Sequence, residues 1–299
     1  MFKNLLVYRL GPGGAASAAE LEERLDAARF VPCGATQAAS AGWVSPRGKA
    51  HGPLVEVIGG QWLLRLMTEA RLLPGAVVKR KVDELAKKIE DETGRKPGKK
   101  LKKELKDEVL LELLPQAFTK QASVPVWLDP EARLLMIDAG SAARADVAIT
   151  ELVKAADGLA VLPLHTLGSP VALMTDWLSG GEPPAVFTVD RECELKSADE
   201  SKSAVRYARH PLDIDEVRQH IAQGKLPTRL AMTWNSRVSF VLTEAMQVKK
   251  LTFLDVVFEG HQPDKDDAFD ADAAIATTEL AALIPDLIDA LGGEKPPAQ

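Results

Sequence analysis

The chain has only two cysteines in 299 residues, Cys33 and Cys193, with no paired spacing. That leaves no disulfide framework and no cysteine-rich zinc site to build on. Both thiols are expected to be buried and reduced, as in a cytoplasm. The five histidines, His51, His165, His210, His220 and His261, stand at metal-ligand spacing from no other His or Cys. No window approaches the roughly 18–20 apolar residues of a membrane span, and the opening MFKNLLVYRLGPGG has no secretory h-region. A soluble, cytoplasmic protein is expected. A Walker A loop is absent, GxSxG is absent, and neither cysteine sits in a nucleophile motif. No enzyme activity, metal or cofactor is therefore expected.

What is present is a charge asymmetry. From Lys79 to Lys106 the chain reads KRKVDELAKKIEDETGRKPGKKLKKELK, with 12 Lys/Arg against 6 Asp/Glu. This stretch carries +6, the whole chain −6, and the remainder therefore −12. A basic insert on an acidic body points to a polyanionic partner, first of all the phosphate backbone of nucleic acid. Apolar content of 46% and 27% charged residues are ordinary for a globular protein, and the length suffices for a core without staples.

Periodicity places the basic run on helices. Val78, Val82, Leu85 and Ile89 are spaced for one face of a helix over 77–92. Leu101, Leu105, Val109 and Leu113 do the same over 99–114, with Pro115 ending it. Gly94, Pro97 and Gly98 make the hinge of an αα-hairpin. Strand-like segments flank it: 2–10, then 61–73 with a bend near Thr68-Glu69, then 122–128 and 133–138. Ser17 and Glu20 have capping-box spacing for a helix, and Ser141 and Asp213 are further N-cap candidates. Segments 161–164 (a short buried strand), 186–197 and 204–210 read as strands, 169–178 as a helix, 226–257 as a three-strand meander, and 270–291 as a long helix stopped by Gly292-Gly293. Two hairpin-then-helix units, 122–156 and 226–291, hint at an internal repeat. The fold class is α+β, mostly antiparallel, with a body of 1–75 and 121–299 and a protruding basic helical arm of 76–120.

Two motifs are weighed and set aside. Gly11-x-Gly13-x-x-Ala16 nominally fits a dinucleotide fingerprint, but residues 30–38 carry no carboxylate and hairpins follow where βαβ units are needed. The acidic run Asp264, Asp266, Asp267, Asp270 and Asp272 lacks the central Gly and closing Glu of an EF-hand loop. It reads as a solvated loop leading into a helix N-terminus, with a metal-dependent nuclease as the alternative.

The basic residues are Lys79, Arg80, Lys81, Lys87 and Lys88 on the first arm helix, Arg95 and Lys96 at the hinge, then Lys99, Lys100, Lys102, Lys103 and Lys106. A second cluster, Arg206, Arg209 and His210, ends a strand before a helix. A solvated face with i,i+4 pairs such as Glu84–Lys88 is an equal reading of the arm. Such an arm binds nothing; a separate alternative is a protein–protein adaptor whose lysine arm meets an acidic partner. No aromatics interleave with either cluster, which favours backbone contact over base stacking.

The segments FKNLLVYRL, FVPCG (30–34), GWV (42–44), LKDEVLLELLPQAF (105–118), WLD (127–129), ELK (194–196), FDAD (269–272) and TELAALIPDLIDALGG (278–293) together resemble the RdgC family of recombination-associated proteins. That resemblance implies a cytoplasmic, nucleoid-associated protein that is not an enzyme. It implies a ring-shaped homodimer enclosing double-stranded DNA without sequence specificity and restraining RecA-promoted strand exchange. Single-stranded DNA is left open as a further ligand. The family's arm-tip dimer contact uses an aromatic after LLP-x-A, here Phe118; ordinary packing where the arm rejoins the sheet is the alternative. Arg209 and His210 stand where the family places basic and polar side chains at a strand end, His210 in place of a longer amide. The arm lysines are assigned to the DNA path by charge alone.

Overall fold

The computed structural model describes residues 2–13, 17–260 and 268–296. Two antiparallel sheets carry it. The first holds β1 (Leu6–Leu10), β2 (Ala39–Val44), β3 (Glu56–Ile58), β4 (Gln61–Arg71), β5 (Thr119–Asp129), β6 (Leu134–Ile137) and β7 (Val161–Pro163), in the order β2-β4-β5-β6-β1-β7 with β3 also on β4. The second holds β8 (Phe187–Ser197), β9 (Ala204–Ala208), β10 (Lys225–Trp234), β11 (Val238–Thr243) and β12 (Val248–Phe253), in the order β12-β11-β10-β8-β9.

Strand alternation gives the first sheet two buried faces. Leu64, Leu66, Val124, Val126 and Ile137 point to one side. There they meet Leu21 and Leu25 of α1 (Ala18–Asp26) and Ala145, Ala148 and Leu152 of α4 (Ala142–Ala155). Leu63, Trp127, Leu134 and Met136 point to the other side. They share a larger core with Leu195, Leu230, Met232 and Phe240 of the second sheet. Met174 and Trp177 of α5 (Pro170–Leu178), and Leu280, Leu283 and Leu287 of α7 (Ala268–Ala290), complete that core. An antiparallel bridge between Leu5, just before β1, and Val248 of β12 links the two sheets. Polar ties fix α7: Arg237 forks onto Glu279 at 2.8 and 2.5 Å, and Trp234 Nε1 donates to Asp286 at 2.7 Å.

Between β4 and β5 lie α2 (Gly75–Thr93) and α3 (Lys99–Leu113), antiparallel neighbours with their own apolar cluster of Val78, Val82, Ala86, Leu105 and Val109. Gly94 ends α2 at φ 71°, a left-handed conformation that suits glycine, and its N–H caps the Glu90 carbonyl. Ser17 and Ser141 cap α1 and α4 by accepting from the N–H groups of Glu20 and Arg144.

Several expectations are corrected. Segment 61–73 does not bend at Thr68-Glu69: β4 runs unbroken to Arg71 and pairs with β5 from Trp62↔Leu128 to Arg71↔Thr119. Glu69 is tolerated mid-strand because it is buried with partners: the Cys33 N–H at 2.6 Å and Gln121 Nε2 at 3.0 Å. α3 does end before Pro115, at Leu113 with Leu114 as its C-cap, and Leu114–Gln116 follow as a 3-10 turn. β7 is only partly buried: Val161 is half-buried and Leu162 and Pro163 are exposed, while Leu164 just beyond it is buried. Asp213 does not cap α6 (Asp215–Ala222): Ile214 occupies that position and the Asp213 carboxylate pairs with Arg218 instead. Cys193 is buried as expected, whereas Cys33 is only half-buried. The two hairpin-then-helix segments lie in different sheets, β5–β6–α4 in the first and the β10–β12 meander with α7 in the second.

Candidate nucleic-acid interface

The amphipathic pattern that builds the helical hairpin also distributes its cations. Because Val78, Val82 and Ala86 face α3, residues about 100° per step around α2 fall on different flanks. Arg80 and Lys87 lie on the outer side of α2, beside Asp83 and Glu84, and Arg80 sits 3.8 Å from Glu84. Lys81 pairs with Glu112 of α3, and Lys96 lies 3.9 Å from Glu90. Lys79 borders that outer side too, and also meets Lys102 and Lys106 across the α2–α3 seam, in a groove of about 480 Å³ floored by Leu73, Val78, Val82 and Leu110. Lys87, Lys88, Lys99, Lys100, Lys102 and Lys103 are exposed and form no ion pair among the described residues. The structure thus gathers three of the lysines at one place and spreads the rest around the hairpin.

The second cluster lies on the edge strand β9. Arg206 stands opposite Glu194 in the β8–β9 register and pairs with it. Burial raises the Glu194 carboxyl, but hydrogen bonds from Thr228 and Arg206 outweigh it, so the group titrates below the usual range. Arg206 is therefore largely compensated. Arg209 is exposed and held at φ 56°, a left-handed conformation at the strand end. His210 is exposed too, with Nδ1 2.8 Å from the Pro211 carbonyl and its ring 5.8 Å from that of Tyr207. Burial pushes the Tyr207 phenol up to about 12, so it stays neutral.

Phe118 is 85% exposed. That removes the alternative of core packing. It lies at the root of the hairpin, away from the Gly94–Gly98 turn, with its carbonyl accepting from the Leu72 N–H at 2.7 Å. Leu72 and Leu111 are further exposed apolar residues.

Two cations escaped the sequence reading. Arg71, at the end of β4, spans the hairpin root, with Nη1 donating to the carbonyls of Leu114 and Ala117 and Nη2 to that of Gly34. Arg65, on the same face of β4, is half-buried in a cavity of about 140 Å³ with Phe2, Leu63, Phe269 and Asp272, and its side chain forms no hydrogen bond or ion pair among the described residues. Burial lowers its pKa. Strand alternation from Leu63 was the available signal, since residues two apart share a face.

Of the acidic run, Asp264, Asp266 and Asp267 lie outside the described residues. Asp270 is engaged by Arg47, which also pairs with Glu56 and stacks over Phe269 at 4.8 Å. Among the described residues no group of three or more His, Cys, Asp or Glu is placed to hold a metal ion. No described helix is long and apolar enough to cross a membrane.

Two antiparallel sheets with packed helices and a lysine-bearing helical hairpin define an α+β protein with a candidate polyanion surface. A family model described as "Putative exonuclease, RdgC" matches residues 1–294. The chain is 47% identical over 299 residues to the recombination-associated protein RdgC of Dechloromonas aromatica, covering 98% of each chain. It is 48% identical over 297 residues to that of Cupriavidus necator, covering 98% of this chain and 99% of the other. It is 45% identical over 301 residues to that of Bordetella pertussis, with the same coverage. The chain belongs to the RdgC family of recombination-associated proteins.

Proposed function

We propose that this protein binds DNA without sequence specificity, encircling the duplex as a ring-shaped homodimer, and restrains RecA-promoted recombination by occupying the DNA that RecA needs. The helical hairpin, 76–120, is the protruding basic arm, and the remainder is the body. The observation that carries the reading is the set of exposed, unpaired lysines on the hairpin, on a chain whose remaining residues sum to −12. Cations held on flexible stems away from counter-ions exchange readily onto phosphates and release condensed counterions. They read no base, consistent with the lack of aromatics among them. Exposed Phe118 supports the second half of the reading, a self-association contact at the hairpin. Arg209 and His210 extend the cationic path onto the body, with Arg206 contributing less because Glu194 neutralises it. Such a protein resides in the cytoplasm on the nucleoid and requires no cofactor.

The test is retention of labelled duplex by native protein against the variant Lys99→Glu/Lys100→Glu/Lys102→Glu/Lys103→Glu. Wild-type affinity should fall steeply with salt, with equal values for unrelated sequences. The variant should lose retention at moderate salt; unchanged affinity overturns the assignment. Including Mg²⁺ or Mn²⁺ in the same incubation decides the nuclease alternative, which requires the label to shorten.

A further inference from the structure

The groove on the hairpin has a feature that phosphate recognition does not require. Its floor is apolar: Val78 and Val82 close the base, and Leu73 and Leu110 are half-buried at its sides. Its rim is Lys79, Lys102 and Lys106, each exposed and without an ion pair among the described residues. No acidic side chain lines it. Cations alone would suffice for a nucleic-acid backbone, and an apolar slot alone would take any greasy segment. The combination selects a chain that presents an apolar side chain between carboxylates.

We propose that this groove docks a short acidic segment of another protein, with an apolar side chain seated on Leu73, Val78 and Leu110 and flanking carboxylates on the three lysines. Charge complementarity names the occupant. The floor supplies the affinity that distinguishes it from a simple polyanion, because apolar burial is insensitive to salt screening while the rim contacts are not. The docking site stands independently of DNA binding. Lys79 and Lys102 belong to both surfaces, however, so a docked acidic segment competes with DNA for the hairpin and provides a means of recruiting or unloading the protein.

The probe is a short fluorescein-labelled peptide of Asp and Glu around a central Phe-Leu pair, followed by anisotropy on the full chain at low salt. Saturable binding is expected. Lys102→Ala/Lys106→Ala should weaken it about tenfold, two surface charge contacts of a fraction of a kcal/mol to 1 kcal/mol each. The charge-matched control Lys49→Ala/Lys154→Ala, away from the hairpin, should leave it unchanged. A second peptide with Ser-Ser in place of Phe-Leu should bind at least several-fold more weakly. Equal binding of the two peptides, equal effects of the two double variants, or no saturable binding of the first peptide overturns the proposal. Duplex retention measured on the wild-type protein keeps the outcomes separate: no saturable binding of the first peptide with duplex retained refutes the docking site alone, and saturable peptide binding without duplex retention refutes the DNA reading alone.

Discussion

The Arg71 guanidinium reaches from the last residue of β4 to the carbonyl of Leu114, 43 residues later in sequence and 2.9 Å away in space. With its further bonds to Ala117 and Gly34, it ties the strand end, the 3-10 turn leading out of α3 and the Cys33 loop into one root for the hairpin. Glu69, two residues earlier on the same face, holds that loop through the Cys33 N–H. The orientation of the lysines, and of Phe118 beside them, therefore depends on a polar clamp as well as on apolar packing.

Arg71→Ala removes three donor contacts and is expected to cost about 1–3 kcal/mol, since the acceptors at the root lose a charged partner. The loss should be local. Hydrogen exchange in 114–119 and proteolysis at the hairpin root should accelerate well before the global transition moves. A uniform drop in protection across both sheets would show that the clamp acts on the whole fold.

Glu69 offers a pH test of the same root. The Cys33 N–H bond, then that from Gln121, holds its carboxyl below the usual range. A depressed folded pKa contributes stability that is present above the unfolded value near 4.3 and is lost as pH falls through the folded one. Acidification should loosen the 31–37 loop first, and Glu69→Gln should abolish that step. If the variant shows the same acid step, another carboxylate is responsible.

Much of the hairpin was legible because local periodicity determines it: Val78, Val82, Leu105 and Val109 recur at helical spacing and are buried where that spacing places them. The caps at Ser17 and Ser141 were legible for the same reason. The straight course of β4 was not. Thr68 and Glu69 resemble a bend when read alone, and become strand residues only through Ala122 and Gln121 opposite them on β5, more than 50 positions on. Asp213 resembled a cap until Arg218 claimed it. The candidate site was legible as a charge count but not as a surface. Which lysines meet depends on how α2 and α3 pack, and the seam selects Lys79, Lys102 and Lys106. Arg65 and Arg71 were hidden inside a strand read for its apolar alternation.

Arg65 leads to a stability prediction of opposite sign. A half-buried guanidinium among Phe2, Leu63 and Phe269, which shares its cavity with Asp272 but pairs with no group among the described residues, has lost hydration without an ion pair to offset it. Arg65→Met keeps the apolar stem and removes the charge, and should stabilise the fold by about 1 kcal/mol, a rise of roughly 2 °C in the melting midpoint. A fall of similar size would mean that the charge is compensated in solution.

The thiols should separate by reagent accessibility. Burial pushes Cys193 up to about 11, whereas Cys33 is half-buried, with Sγ 3.5 Å from Ser40 Oγ. At about pH 8 the native protein should show one accessible thiol to a disulfide reagent and the second only after unfolding. The raised Cys193 value also has a linkage consequence. Its contribution is full below the unfolded pKa near 8.5 and declines as pH rises toward the folded value. Cys193→Ala should flatten the alkaline limb of the stability profile, and an unchanged limb would assign that limb to other groups.

Phe118 decides whether the hairpin is an interface. A side chain 85% exposed contributes little to the monomer's core, so Phe118→Ser should leave the melting midpoint and circular dichroism nearly unchanged. If Phe118 forms a self-association contact, burial of its ring is worth roughly 1.5–3 kcal/mol at each copy, and the substitution should shift the dissociation constant of that contact by about tenfold or more. Sedimentation across a concentration series reads this directly. If that contact closes the ring, the substitution should open it, so the wild type's preference for closed circles, held by encirclement, over short linear duplexes, which slide free, should disappear in the variant. Identical sedimentation of wild type and variant at every concentration would remove Phe118 from any self-contact and leave the exposed ring for a different partner.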